Sequence, residues 1–270
     1  PADDPTDRRR ALSRWLTGPK NPWLARNVAN RYWGYMMGKG LVNPIDDLRE
    51  TNPPSNPELL DALADSFIKS GYDLKALLRL ILNSRVYQLS ARTTAANRLD
   101  TTFFTHYTIK RLTAEQLLDA INLATGSFEK FPRLPIGTRA ISIPDINALP
   151  DASPQAYFLK TFGAPSRVIT CECERSTDPT LSQSLGMMNG EITNRKLTQA
   201  DARFSKLLKD PKLTDATLVR MLYLNTFNRQ PSTAEAAAAE SLLGEVPDRR
   251  QGAQDLLWGL LNSKEFLFNH

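Results

Sequence analysis

The chain has 270 residues, 41% of them hydrophobic, which is enough apolar material for a sizeable core and excludes disorder of the whole chain. Its net charge of +5 is the small difference between 34 basic and 29 acidic residues scattered along the sequence, so no stripe of one sign points to nucleic acid. No stretch approaches the roughly 20 consecutive apolar residues that cross a bilayer, which excludes a membrane-spanning helix.

The chain opens Pro-Ala-Asp-Asp without a methionine or an apolar leader, which reads as the start of a fragment of a longer protein. Arg8, Arg9 and Arg10, like Arg249 and Arg250 near the far end, read as solvated helix faces. Asn21 followed by Pro22 has the form of an N-cap with proline in the first turn, and predicts a helix to about Met37, stopped by Gly38 and Gly40. After a turn-rich stretch, Asn56-Pro57 starts a second helix with Leu59, Leu60, Leu63, Phe67 and Ile68 on its apolar face, and Asp73 starts a third that runs to Leu82.

Thr113 to Gln116 has capping-box spacing and opens a helix carrying Leu117, Leu118, Ile121 and Leu123, with Gly126 just beyond it. Residues 127–177 are proline-rich and lose helical periodicity, with 140–143 and 167–171 as candidates for short strands. A loop-rich segment of that length is where function is expected. Asp178-Pro179 restarts helix through Met188, and Gly190 closes it. A further apolar helix covers 218–227, and Ser232 with Glu235 forms the capping box of an alanine-rich one.

One pattern occurs twice. Residues 77–87, LLRLILNSRVY, align without gaps to 256–266, LLWGLLNSKEF. Each copy ends an apolar helix in Asn-Ser, with Asn suited to a left-handed C-terminal position and Ser to capping the next segment. A three-helix unit is expected at each end, from a duplication or a shared packing solution.

The sharpest local motif is Cys171-Glu172-Cys173-Glu174-Arg175. Two thiols and two carboxylates at that spacing are a candidate metal site, with Cys171 and Cys173 as ligands and Arg175 favouring the thiolate. The spacing and the absence of a partner pair depart from four-ligand zinc sites, so a structural role is preferred: buried thiols, with Glu174 or Arg175 in an ion pair. The two histidines, His106 and His270, leave catalytic dyads short of a base, and no C-x-x-C-H attaches haem to this chain. Asn30 and Arg31 lie near Asp46 and Asp47, where Arg31 is placed to pair with an aspartate of the following turn. That network reads as loop-fixing in preference to a ligand site. Met36, Met37, Met187 and Met188 read as core filler. No phosphate loop, nucleophile elbow or H-E-x-x-H is present.

These residues resemble a known family, the planctomycete cytochrome-c-associated C-terminal domain of unknown function. The resemblance is carried by residues 21–33, 38–42, 54–60, 77–87, 171–175, 181–190 and 256–270, nearly the whole chain. It implies an exported protein, upstream domains of the same precursor as partners, and a c-type haem in a neighbouring domain, with no cofactor in this chain. It supplies no catalytic residue.

The expected fold is mainly α: one helical C-terminal module over 1–270, with sub-regions 8–126, 127–177 and 178–270, two similar helical ends and an irregular middle with short strands. The expected role is a non-catalytic docking or structural module that binds neither nucleic acid nor spans a membrane. The alternatives are an enzyme domain acting on cell-envelope or polysaccharide material through Glu172, Glu174 and Arg175, and a metal- or haem-contact module at Cys171 and Cys173.

Overall fold

Short polar side chains mark helix starts in the sequence, and helices stand behind most of them. The computed structural model describes residues 7–18, 20–166, 180–200 and 202–269. It is mainly α-helical and divides into two compact units, residues 1–110 and residues 111–269.

In the first unit α1 (Arg8–Leu16) precedes α2 (Pro22–Met37), whose first turn is satisfied by Asn21, its side-chain oxygen accepting the Trp23 N–H at 2.9 Å. The helix stops at Gly38, whose φ of 84° suits a residue without Cβ. The next helices, α3 (Pro57–Lys69) and α4 (Leu74–Leu82), start on the side chains of Asn56 and Asp73. Each of α2, α3 and α4 touches the other two. Their buried side chains, among them Trp33, Met37, Leu60, Phe67, Leu77 and Ile81, form one core with Leu41 and Val42. Burying each large apolar side chain contributes about 1.5–3 kcal/mol, which chain ordering largely offsets.

The second unit is built around α5 (Ala114–Thr125), whose Ala114, Leu117, Leu118 and Ile121 are fully buried. Leu123, also carried by this helix, is 61% exposed, because the i, i+3, i+4 row that faces the core runs through Leu117, Leu118, Ile121 and Ala124. Around α5 lie α6 (Pro154–Thr161), α7 (Leu181–Asn189), α8 (Glu191–Thr198), α9 (Arg203–Leu207) and α10 (Asp215–Phe227). The unit closes with α11 (Thr233–Glu245), α12 (Arg249–Leu261) and α13 (Lys264–Leu267). Helices α10, α11 and α12 again touch one another pairwise, so a three-helix group does occur in each unit. The boundary at residue 110/111 falls inside the 8–126 sub-region expected from the sequence, because α5 buries its apolar row in the second core.

The strand candidate at 140–143 is instead a 3-10 turn, Ala140–Ser142. Its cause is non-local: buried Asp119 accepts the N–H groups of Ala140 at 2.7 Å and Ile141 at 3.2 Å, winding the chain into a turn. The candidate at 167–171 lies outside the described residues. The irregular middle also contains α6, two helical turns started by Ser153 and Pro154, too short to show periodicity among the surrounding prolines. Among the described residues the strands are β1 (Lys110–Arg111) and β2 (Phe268–Asn269), a two-stranded ribbon. The helix expected from Asp178-Pro179 begins at α7, on a Thr180–Gln183 capping box.

The repeated sequence folds into the same corner twice. Asn83 donates its side-chain amide to the Arg79 carbonyl at 2.8 Å, and Asn262 does so to Trp258 at 2.9 Å. Ser84 and Ser263 each donate their hydroxyl three residues back, at 2.6 and 2.7 Å, and accept the N–H of Tyr87 and Phe266. Neither asparagine is left-handed: φ is −85° at Asn83 and −90° at Asn262, because the side chain satisfies the open carbonyl without a reversal of the backbone. The left-handed asparagine is Asn228, at the end of α10.

In the second unit the corner is anchored by Glu265. Arg229 donates to Glu265 at 2.6 and 2.7 Å and to Glu235 at 2.7 and 2.8 Å, and its guanidinium lies over the rings of Tyr223 and Phe227. The Arg229 hydrogen bonds, with the Ser232 N–H, hold the Glu235 carboxyl down at about 2. A carboxyl held below its ordinary value of 4.5 contributes stability above about pH 4.5, and that contribution is lost as pH falls towards 2. Urea midpoints measured across this window should fall for the wild type, and Glu235→Gln should remove part of the slope. Equal slopes would show that the cluster contributes nothing to acid sensitivity.

Candidate functional site

Of the residues singled out in the sequence, Asn30 and Arg31 lie on α2 and face the loop behind it. Asn30 is fully buried, accepts the Val42 N–H at 2.8 Å and donates to the carbonyls of Val42 and Ile45 at 2.9 and 3.0 Å. Gly40 makes room for it: a Cβ there would stand 2.3 Å from the Val42 oxygen and 3.0 Å from the Asn30 amide. Arg31 pairs with Asp46 of the following turn and donates to the Tyr35 hydroxyl at 3.1 Å. Both side chains are thus occupied in binding loop to helix. The motif Cys171, Glu172, Cys173, Glu174, Arg175 lies outside the described residues, as does His270. Among the described residues no group of three or more His, Cys, Asp or Glu comes together.

The second unit holds a charged network that no local pattern announces. Glu129 and Lys196 have side chains 3% and 1% exposed and meet at 2.7 Å. Arg195 donates to both Glu129 oxygens at 2.9 and 3.0 Å, and Gln155 to one of them at 2.6 Å. Burial by itself raises the Glu129 carboxyl, but the Lys196 hydrogen bond and charge, with Gln155 and Arg195, outweigh it and leave the group below its ordinary value. Lys196 also donates to Ser127 at 3.1 Å, and Ser127 meets Thr125 at 2.8 Å. Serine beside lysine has the composition of a hydrolytic dyad, but an ammonium ion-paired to a carboxylate has no lone pair with which to take the serine proton. Both residues are closed off from solvent, so the network is a cross-link between the end of α5 and α8.

Open surface lies on both sides of Phe162. This ring is buried at the end of α6 and stacks on Phe158 with centroids 4.4 Å apart. Gln183 ties the start of α7 to the same place: its side chain accepts the Thr180 N–H at 3.1 Å, donates to the Thr161 carbonyl at 3.1 Å and receives Arg111. The result is a cleft of about 400 Å³ walled by Phe162, Met187, Met188, Trp258 and Phe268. A second cleft of about 310 Å³ lies across Phe162, with Tyr157 and Gly190 on its wall. The corner residue Asn262 borders the larger cleft, and the Trp258 indole donates to the Met188 carbonyl at 3.0 Å.

Among the described residues, the lining of the larger cleft has one cation, Arg111, with hydroxyls and amides, and neither a carboxylate nor an imidazole. What it offers is apolar area. Met188 on its wall is 45% exposed, Tyr157 on the wall of the second cleft is 66% exposed, and Leu181 and Leu185, elsewhere on α7, are 75% and 51% exposed. Met187 is buried as a filler, whereas its neighbour Met188 departs from that expectation because α7 turns it outward to the cleft. The sequence signal for this surface is the apolar surplus of α7 on more than one helix face.

A family model described as PSD1, protein of unknown function (DUF1553), matches residues 8–243. No curated protein and no solved structure matches the chain.

Removing the Asn30 side chain by Asn30→Ala leaves two carbonyls and one N–H without partners, and is expected to destabilise the protein by about 2–3 kcal/mol in urea titration. Glu129→Gln strands the Lys196 charge in the interior and should cost roughly 3–5 kcal/mol, part of which the added Lys196→Met should restore. Loss of less than about 1 kcal/mol in Glu129→Gln would show the pair to be solvated rather than buried.

Proposed function

The chain belongs to the PSD1 family of proteins of unknown function, and on that premise we propose that it is a non-catalytic docking module of a larger exported protein. The observation that supports this is a division of labour in the second unit. The buried charges Glu129 and Lys196 are consumed in a closed network, while the exposed side chains of Met188 and Tyr157 line the clefts on the two sides of Phe162. A surface of that composition gains free energy by covering apolar area. The preferred occupants are upstream domains of the same precursor, and the resemblance to a cytochrome-c-associated domain makes a haem-bearing neighbour one of them.

The reading is tested by producing the chain and the preceding part of its precursor separately and measuring their association by calorimetry. A complex is expected, with negative heat-capacity change from apolar burial. Leu185→Asp with Met188→Asp should weaken it at least about tenfold, since two charges would be forced against apolar area. Near-ultraviolet dichroism should be unchanged. An affinity equal to that of the wild type, or turnover of a cell-envelope polysaccharide by the chain alone, would overturn the proposal.

A further inference from the structure

Helix α1 is amphipathic and its apolar side is largely uncovered. Leu12, Trp15 and Leu16 follow the i, i+3, i+4 spacing of one helix face, and Arg8 lies one turn before Leu12 on the same side. Only Ala11 of this helix is buried, while Leu12 and Trp15 remain 53% and 49% exposed. A few residues on, at the start of α2, Trp23 is 51% exposed. Half-exposed leucine and two half-exposed tryptophans within so short a stretch are costly in water unless something covers them.

The charges around them are mostly positive. Arg8, Arg9, Arg10, Arg14 and Lys20 are all exposed, and Asp7 is the one carboxylate among the described residues between 7 and 23. Asp7 caps the helix and pairs with Arg9 at 3.1 Å. Asp3 and Asp4 of the sequence bring the balance to five cations against three carboxylates, still positive.

We propose that α1, with the exposed Lys20 and Trp23, is a peripheral membrane contact that seats on an anionic phospholipid bilayer. Tryptophan and leucine enter the boundary between headgroups and acyl chains, and arginine stems lie along apolar surface while their guanidinium groups reach phosphate oxygens. Nucleic acid satisfies only the cationic half of this surface and leaves Leu12 in water. No helix among the described residues is long and apolar enough to cross a membrane, so the contact is one of adsorption, and a short helix with a few cations makes it reversible.

The test is co-sedimentation of the whole chain with vesicles of phosphatidylcholine, with and without phosphatidylglycerol. Each cation near an anionic surface strengthens binding by roughly fivefold, so anionic vesicles should be preferred by at least about tenfold, and high salt should abolish the preference. Leu12→Ser with Trp15→Ser, and separately Arg8→Glu with Arg10→Glu, should each reduce binding about tenfold with an unchanged melting temperature. Because the charge pair is exposed, it keeps the test interpretable if the apolar pair perturbs folding. Equal binding to both vesicle types, or wild-type binding by the charge variant, would overturn the proposal. Binding to duplex DNA that is tighter than to vesicles and indifferent to Leu12 and Trp15 would also overturn it, and would assign the cations to nucleic acid.

Discussion

A helix begins with backbone N–H groups that nothing inside the helix can accept, and this chain meets that requirement almost everywhere with a side chain one residue upstream. Asp7, Asn21, Asn56, Asp73, Thr113, Ser153, Thr180, Thr214, Ser232, Asp248 and Ser263 each accept from the first turn of the helix that each precedes. Caps of this kind contribute about 1 kcal/mol each, and they fix where one helix stops competing with the next for residues. The two described α-helices without a side-chain cap are α8 and α9, which begin on Gly190 and Ala202. Helix α8 is held instead from its middle, where Arg195 and Lys196 grip Glu129.

The distance in sequence over which an interaction acts decides whether it can be read there. Caps act across two or three residues, and those of α2, α3, α4, α5 and α11 are visible as Asn-Pro, Asp or Thr/Ser-x-x-Gln/Glu. The paired corners are visible as a repeat, although their geometry is not: the expectation of a left-handed asparagine leaves out that its own amide can satisfy the carbonyl four residues back. Arg31 and Asp46 are one turn and a loop apart, and their pairing is legible for that reason. Glu129 and Lys196 are far apart in sequence within the second unit, and nothing near either residue distinguishes it from a surface charge. The turn at Ala140 escapes a local reading for a related reason, since the carboxylate that winds it belongs to Asp119 on α5.

The polar side chains of Asn30 and Glu129 serve construction. Asn30 and Glu129 each hold several partners, and the hydrogen bonds that hold them all end on the protein itself. Apolar chemistry is distributed the other way, with Leu181, Leu185 and Met188 of α7 turned outward and Met188 lining a cleft that the corner residue Asn262 also lines. A cleft bordered by a corner of that kind inherits its geometry from hydrogen bonds rather than from side-chain packing alone.

Gly190 ends α7 and starts α8 without an intervening residue, its N–H bonded to the Gly186 carbonyl at 3.0 Å and its carbonyl to the Asn194 N–H at 3.1 Å. A Cβ at this position would stand 2.1 Å from the Gly186 oxygen, so the junction is closed to every other residue type at this geometry. Two helices joined with no slack turn together. Force applied to the outer face of α7 is passed to α8, whose Lys196 is fastened to Glu129. A residue larger than glycine at this junction would therefore alter two helices together, displacing Met188 on the wall of the cleft along with the buried pair.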